Sequence, residues 1–311
     1  MLRFIVGRLI QMVPVLIGVS LVSFFAIHLV PGDPIQIMLL GRASAETVAA
    51  MHAEYGLDLP VWQQYLNFIG GALQGDLGRS IVQKTSVTSL VADGLGVSLF
   101  LLAYGALLSV LIAVPLAMWA AIRRDEPADH GIRLAGMIGL AMPPFWIGLM
   151  LMVFFGLTLR WFPIQGFGEG FLGHVYHMFM PALTMALFLA PVLIQSLRSS
   201  ILDVLEADYI EVARAKGLSE WRILTKHVLR NALIPVITVL AVNISWLLSG
   251  AVIVEYVFGL PGLGSLLVRS VGYRDYPLIQ GLSFVFAVLV VIVNLIADLS
   301  YMLVDRRVLK A

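Results

Sequence analysis

The sequence contains no cysteine, and only 13% of its 311 residues are charged. The absence of cysteine excludes disulfide bonds, thiolate metal sites, iron–sulfur ligation and cysteine nucleophiles. The formal net charge of +1 argues against a general nucleic-acid-binding protein, which would carry a basic face. The chain also lacks a Gly-rich phosphate loop that ends in Lys-Ser or Lys-Thr, so it is not itself an ATPase of that class.

Apolar residues are abundant instead, at 60% of the chain, and the mean hydropathy is +0.94. Soluble domains are about half apolar and a quarter charged, so this composition indicates a membrane protein. The basic N-terminus precedes an apolar stretch longer than the core of a signal peptide, and we expect a retained first membrane helix. Six stretches are long enough to span a bilayer, near residues 8–30, 97–121, 133–158, 180–197, 232–256 and 278–304.

The distribution of Lys and Arg predicts the orientation of these spans. With the N-terminus inside, 14 of the 20 basic residues face the cytoplasm and 6 face outward. Both termini are then cytoplasmic, and residues 31–96 form a long extracytoplasmic loop. Within that loop the sequence predicts one helix that begins after the N-cap Ser44 and a second, amphipathic helix from Val61 to Leu73.

Proline occurs within or beside several predicted spans. Each proline removes a backbone donor and can kink its helix. Proline is also common in membrane helices, so a single one indicates little. The adjacent pair Pro143-Pro144 inside the third span is harder to explain in that way and favours a bent helix.

A polar segment, residues 206–235, interrupts the apolar pattern. Its charges are costly at the bilayer centre, so it must leave the lipid. Residues 201–216 have helical periodicity, Gly217 suits a C-terminal cap, and Ser219 suits the N-cap of a second helix. Six basic and five acidic residues between 197 and 230 nearly balance, which suits a specific protein partner better than an anionic lipid surface. An amphipathic connector without a partner fits the spacing equally well.

Motifs along the whole chain resemble those of the first permease in peptide-type ABC importers, the dipeptide/oligopeptide/nickel family. The hairpin carries the EAA-like pattern Glu211-Val212-Ala213 followed by Gly217. The other matching motifs, in order, are Pro31-Gly32-Asp33-Pro34, Tyr55-Gly56-Leu57-Asp58, Gly75-Asp76-Leu77-Gly78, Leu229-Arg230-Asn231-Ala232-Leu233-Ile234-Pro235, Pro261-Gly262-Leu263-Gly264 and Arg274-Asp275-Tyr276-Pro277.

The resemblance implies an all-α integral membrane protein with six transmembrane helices, a type I ABC importer permease fold and a cytoplasmic coupling helix. It implies one transmembrane domain over residues 1–311, an extracytoplasmic region at 31–96 and a coupling region at 198–231. The coupling region would dock on the ATPase, and the residues assigned to that contact are Glu211, Ala213, Ala215, Gly217 and Leu218.

The resemblance also implies partners. These are a homologous second permease, two ATP-binding cassette ATPases, an extracytoplasmic substrate-binding protein and membrane lipid. ATP and Mg would be bound by the ATPases, so no cofactor, metal or catalytic residue is assigned to this chain. The implied location is the bacterial cytoplasmic (inner) membrane.

The outer face is predicted to carry a docking or gating surface. Residues 259–277 contain several glycines and two prolines, which predict tight turns rather than a long helix, and charges that can contact a soluble partner. Glu255, at the outer end of the fifth span, either lines the gate or pairs with a nearby arginine. The residues assigned to this surface are Glu255, Pro261, Gly262, Gly264, Arg274 and Asp275.

Other functions remain open on sequence grounds. The importer's cargo is predicted to be di- or oligopeptides, with glutathione, a nickel chelate or another small solute as alternatives. An ion channel fits the topology but leaves the charged hairpin unexplained. An intramembrane enzyme is disfavoured because His28 is the only histidine in a predicted span and no H-E-x-x-H motif occurs. His174 and His177 share a helical face, but two histidines alone make a poor metal site.

Overall fold

The structure, a computed structural model, describes residues 2–29, 32–33, 35–36, 39 and 44–304. Pro31 and Pro34 of the matching motif, and the basic residues Arg306, Arg307 and Lys310 counted as cytoplasmic, lie outside these residues. Over the described residues the fold is helical and contains no β-strand. The elements are α1 (Leu2–His28), α2 (Ala45–Glu54), α3 (Val61–Ala72), α4 (Val87–Ile122), α5 (Pro127–Ala141), α6 (Pro144–Leu151), a first π-helix (Met152–Thr158), α7 (Gly170–Leu205), α8 (Asp208–Ala215), α9 (Glu220–Arg222), a second π-helix (Ile223–Val228), α10 (Leu229–Val257), α11 (Leu263–Tyr273) and α12 (Tyr276–Val304).

Five helices are long and apolar enough to cross a membrane, and a bent pair of helices raises the number to six. The predicted all-α membrane fold is therefore confirmed. The fourth span is much longer than the predicted 180–197, since α7 has 36 residues. The five straight candidates are Ile10–His28, Val87–Ile122, Gly170–Leu205, Val236–Val257 and Tyr276–Ala297.

The third predicted span, 133–158, is not one straight helix. It consists of α5 and α6 with its π-helical extension, which meet at an angle of 105°. Met142 and Pro143 are both extended there, with ψ of 131° and 138°. A residue before proline avoids the α conformation, and each proline lacks an N–H, so consecutive prolines end α5 and start α6. Pro115 and Pro191, in contrast, lie inside continuous helices.

Contacts between Cα atoms divide the chain into two compact units. The first unit contains Met1–Leu99 and Gly259–Ile292, and the second contains Phe100–Phe258 and Val293–Ala311. The assignment of one transmembrane domain to the whole chain stays a prediction.

The core of the first unit joins the 31–96 segment to α4 and to two later helices. Buried side chains from this segment, α4, α11 and α12 meet there. Helices α12 and α4 lie very close together at Gly281, because a Cβ at that position would lie 2.6 Å from Cγ1 of Val87. The core cluster consists of Leu77, Val87, Val91, Leu263, Leu278 and Leu282.

The core of the second unit is built around α7. This helix packs against α5, α6 and α10, and it buries thirteen residues along its length. Small side chains allow close packing: a Cβ at Gly105 would lie 3.0 Å from Cβ of Met185. The long α7 thereby fixes the base from which the charged segment extends.

Candidate coupling hairpin and extracytoplasmic face

The polar segment folds as a helical hairpin, residues 206–231, which we call the charged hairpin. Helix α7 ends at Leu205, and α8 begins after Ala207, which is extended with ψ 138°. The sequence predicted one continuous helix over 201–216. That prediction is wrong, because the helix is interrupted at Glu206 and Ala207. Two acidic residues in the first turn of α8, Asp208 and Glu211, complement the helix dipole.

Gly217 caps α8 as the sequence predicts. Its φ is +75°, and its N–H donates to the Arg214 carbonyl at 2.9 Å. The Leu218 N–H donates to the Ala213 carbonyl at 3.3 Å, which completes a Schellman motif. No atom lies within 4 Å of the position that a Cβ on Gly217 would occupy. Glycine is thus required by the left-handed backbone and not by crowding.

The second arm of the hairpin begins at the predicted position but in an unexpected form. Ser219 is the extended N-cap of α9, although its side chain makes no capping hydrogen bond. Helix α9 has only three residues and continues into the π-helix Ile223–Val228. Such π-helical segments are rare and occur frequently at functional sites.

Two polar contacts join the arms of the charged hairpin. Arg214 Nε donates to Glu220 Oε1 at 2.9 Å across the turn, and Asn231 Nδ2 donates to the Tyr209 hydroxyl at 3.0 Å. Both contacts are exposed, so the ion pair contributes about 1 kcal/mol or less. The side chain of Ile210, in α8, is fully buried.

The five assigned coupling residues divide between the surface and the interior. Glu211, Ala215 and Gly217 are exposed, Leu218 is half-buried and Ala213 is buried. Ala213 therefore positions α8 and does not present a contact surface.

Sequence reasoning missed the apolar part of the exposed surface. Trp221 is 71% exposed and Val212 is 53% exposed, both on a segment that is otherwise polar. Exposed aromatic residues are enriched in protein interfaces and often dominate their binding energy. The signal was present in the sequence as a lone tryptophan between charged residues.

A buried ion pair ties α5 to α7 near the hairpin. Arg198 donates from Nε to Asp129 Oδ1 at 2.6 Å, and its Nη2 donates to Oδ2. Asp129 is fully buried and also accepts the Asp125 N–H at 3.0 Å. A two-pronged guanidinium–carboxylate contact fixes orientation as well as distance. The base of the charged hairpin is therefore held rigidly against α5.

Asp275, assigned to the outer docking surface, is in fact a buried hub of the first unit. It is 1% exposed. Its carboxylate accepts the Ser80 hydroxyl, the Ile81 N–H at 3.1 Å and the Val82 N–H at 3.2 Å. The prediction that Asp275 offers a charge to a soluble partner is wrong, because three donors from residues 80–82 already surround its carboxylate.

The segment from Gly259 to Pro277 is also more regular than predicted. The prediction was tight turns rather than a long helix; the segment contains α11, a helix of 11 residues. The glycines stand at its ends: Gly262 is the N-cap and Gly272 is the penultimate residue. They shape the boundaries of the helix and do not interrupt it.

The start of α11 packs closely against α4. The Leu263 N–H donates to Ser98 Oγ at 2.9 Å, and a Cβ on Gly94 would lie 3.3 Å from the Gly262 carbonyl carbon. Gly262 and Gly264 are buried, whereas Pro261 is exposed. Arg274 is half-buried and closes α11 with φ 55°.

A polar and aromatic cavity of about 440 Å³ lies within the first unit. Its lining includes Glu54, Arg79 and Gln280. Burial raises the pKa of the nearby Tyr55 phenol, which stays protonated at neutral pH. The PGDP motif contributes to the same unit, since Asp33 Oδ2 lies 3.0 Å from His52 Nε2.

The remaining candidates have structural partners. Glu255 is 1% exposed and therefore lies inside the fold. His174 stacks on Phe167 with ring centroids 3.8 Å apart, and His177 Nδ1 lies 3.0 Å from the Gly173 carbonyl. No group of three or more potential metal-ligating side chains occurs within the described residues.

Comparison with known proteins identifies the family. The family described as "Binding-protein-dependent transport system inner membrane component" matches residues 113–310, and its N-terminal counterpart matches residues 1–101. The two matches together cover nearly the whole chain.

Full-length relatives agree with this result. The oligopeptide transport system permease protein AppB of Bacillus subtilis is 40% identical over 314 residues. The dipeptide transport system permease protein DppB of Escherichia coli K12 is 36% identical over 335 residues, and the glutathione transport system permease protein GsiC of Salmonella typhimurium is 37% identical over 309. Each alignment covers 99% of this chain and 99% of the relative.

A solved structure supports the fold independently. The MetNI methionine ABC transporter in an inward-facing conformation aligns with a TM-score of 0.56 at 15% identity, over 70% of this chain and 96% of the other. At that identity the likeness establishes the fold alone. Together with the family matches, it shows that this multi-pass membrane protein belongs to the inner membrane components of binding-protein-dependent ABC importers, a family of transport permeases and not of enzymes.

Proposed function

We propose that this chain is the transmembrane permease subunit of an ATP-driven, binding-protein-dependent importer of di- and oligopeptides. The observation that carries the proposal is the charged hairpin. A rigidly capped hairpin with an exposed tryptophan, on a membrane protein of this family, needs a soluble partner to cover it.

The geometry suits transmission of a push from an ATPase to the membrane helices. Only Glu206 and Ala207 separate α7 from α8, so a displacement of the hairpin is transmitted directly to α7. The Arg198–Asp129 pair passes that displacement to α5. Closure of two ATPases around ATP would then switch the spans between inward- and outward-facing states as rigid bodies.

The proposed assembly contains this chain, a homologous second permease, two ATPase subunits and an extracytoplasmic binding protein. ATP and Mg would be bound by the ATPases. Both termini of this chain would be cytoplasmic, which places the charged hairpin on the same side as the ATPases and residues 31–96 on the side of the binding protein.

Peptide cargo is favoured because relatives named for oligopeptide and dipeptide transport align over their full length. Glutathione is the second candidate, because a relative named for glutathione transport aligns equally completely at 37% identity. Glutathione is itself a tripeptide derivative, so a single pathway can accommodate both classes.

Reconstituted uptake tests the proposal. The chain, its second permease, the ATPases and the binding protein are placed in proteoliposomes and given labelled dipeptide, tetrapeptide or glutathione. We expect saturable peptide uptake that requires both ATP and the binding protein. Uptake without ATP would indicate a channel, and uptake of glutathione alone would support the second candidate. A complex with catalytically inactive ATPases is the matched control.

A further inference from the structure

A polar cavity of about 340 Å³ opens in the second unit at the end of α5 that lies nearest the charged hairpin. Three arginines and one aspartate line it together with Gln195 and Ser199: the charged residues are Arg124, Arg133, Arg198 and Asp125. Two of the three arginines are already paired. The third arginine is therefore the cation of this cavity that can bind an anionic group.

Arg133 is that cation. Arg198 is held by Asp129, and Arg124 donates to Glu206 at 2.9 Å and lies 3.5 Å from Asp125. Within the described residues, Arg133 has no ion pair and no hydrogen bond through its side chain. Arg133 is exposed and lines the cavity, and its guanidinium offers a fork of donors that matches a phosphate.

An apolar trough of about 500 Å³ continues from this polar cavity. The two share four lining residues, so they form one amphiphilic groove. The 105° bend at Met142 opens the trough, and Trp146 lines it beyond the bend. The shared residues are Ile132, Gly136, Pro191 and Ile194.

We propose that this groove is a binding site for one glycerophospholipid, with its phosphodiester against Arg133 and an acyl chain along the trough. A groove with a cationic mouth and an apolar floor, in a membrane protein, has the polarity pattern of a phospholipid. The stretch of α5 from Ile132 to Gly139 is about 10 Å long, which matches the upper half of an acyl chain.

The other charges of the mouth decide which headgroups fit. Arg124, Arg198, Asp129 and Glu206 cancel in pairs, and the exposed carboxylate of Asp125, which lies 3.5 Å from Arg124, offsets the charge of Arg133. The site therefore recognises the phosphodiester and does not require net negative charge. Phosphatidylethanolamine should bind at least as well as phosphatidylglycerol.

Native mass spectrometry of the complete, detergent-purified complex tests this site. Phosphatidylethanolamine or phosphatidylglycerol is added in defined amounts, and the lipid retained per complex is counted. Arg133→Gln should lower retention about fivefold, since one arginine near a headgroup contributes about that factor. Arg133→Lys should restore much of it. Arg123→Gln is the matched control, because Arg123 is exposed, pairs with Glu126 and lies outside both cavities.

A second variant tests the trough independently of charge. In Gly131→Leu the new Cβ meets no atom within 4 Å, and the side chain occupies space in the trough that Gly131 lines. Retention should fall while the melting temperature of the complex stays unchanged. The site is refuted if Arg133→Gln and Arg123→Gln retain equal lipid, or if phosphatidylglycerol binds more than tenfold better than phosphatidylethanolamine. It is also refuted if a cysteine at Ile138 cross-links to the second permease, which would then fill the groove. None of these readouts depends on the transported substrate.

Discussion

Replacement of Gly217 tests whether the geometry of the charged hairpin matters for coupling. Gly217→Ala places a Cβ on a residue with φ +75°. The left-handed conformation costs a non-glycine residue about 1–2 kcal/mol. Because no atom lies within 4 Å of that Cβ, no steric clash adds to this cost. Asparagine tolerates the left-handed conformation better than alanine, so Gly217→Asn should lose less.

The hairpin has little local stability to offset such a cost. Helix α8 has eight residues, which is too short to persist without packing. The Arg214–Glu220 pair is exposed and contributes about 1 kcal/mol or less. A loss of about 1.4 kcal/mol would reduce the population of the capped hairpin, relative to open forms, about tenfold.

The assay is ATP hydrolysis stimulated by the loaded binding protein, together with ATP-driven uptake, in proteoliposomes. Stimulated activity should decrease in the order Gly217, Gly217→Asn, Gly217→Ala, with unchanged membrane insertion. Gly96→Ala is the matched control, because Gly96 lies inside α4 and its Cβ would also meet no atom within 4 Å. Equal activity of the alanine and asparagine variants, or full activity of both, would refute the reasoning.

Three further variants have defined outcomes. Asp275→Asn should lower the stability of the purified permease by about 2 kcal/mol in thermal unfolding, because the amide NH2 would face backbone N–H donors. Unchanged stability would contradict the role of Asp275 as a buried hydrogen-bond acceptor. Arg198→Ala should lower the free energy of unfolding by about 3–5 kcal/mol, because it leaves Asp129 buried without its partner. A loss below about 1 kcal/mol in the same measurement would contradict a structural role for this ion pair. Trp221→Ala should weaken capture of the ATPase subunits at least tenfold while permease stability changes by about 0.5 kcal/mol or less; unaltered capture would remove Trp221 from the interface.

Hydropathy and charge predicted the membrane character and the approximate spans because lipid imposes a strong constraint on helix length and polarity. The ends of the helices were harder to predict. The periodicity of residues 201–216 predicted a helix there, but not that residues 201–205 continue the fourth span, because packing within the second unit joins them to α7. The bend at Pro143 was indicated by the adjacent prolines, but its 105° angle depends on tertiary packing.

The charged hairpin was predicted well where backbone chemistry dominates. Gly217 and Ser219 have positions that their residue types predict, because caps are local features. The π-helix at Ile223–Val228 was missed, since no composition signal distinguishes it from an α-helix. Trp221 was missed although its charged neighbours indicated polar surroundings, and its 71% exposure is visible only in the structure.

The outer segment was predicted least well, for a physical reason. Glycine at positions 262 and 272 reads as a turn signal, yet these residues define the start and end of α11. Asp275 reads as a surface charge, yet three donors about 195 positions earlier in the chain surround it. Long-range hydrogen bonding of this kind leaves no trace in local sequence.

Cross-linking of the charged hairpin tests the central claim most directly. The chain has no cysteine, so a cysteine in place of Val212, which is 53% exposed, is the single thiol of this subunit. In the assembled complex, Val212→Cys should cross-link to an ATPase subunit through a short bifunctional reagent, and the cross-link should abolish ATP-driven uptake. A cysteine in place of Val271, which is similarly exposed on α11, should give no such product. Absence of the ATPase product from Val212→Cys, or its appearance with undiminished uptake, would contradict the role of this hairpin.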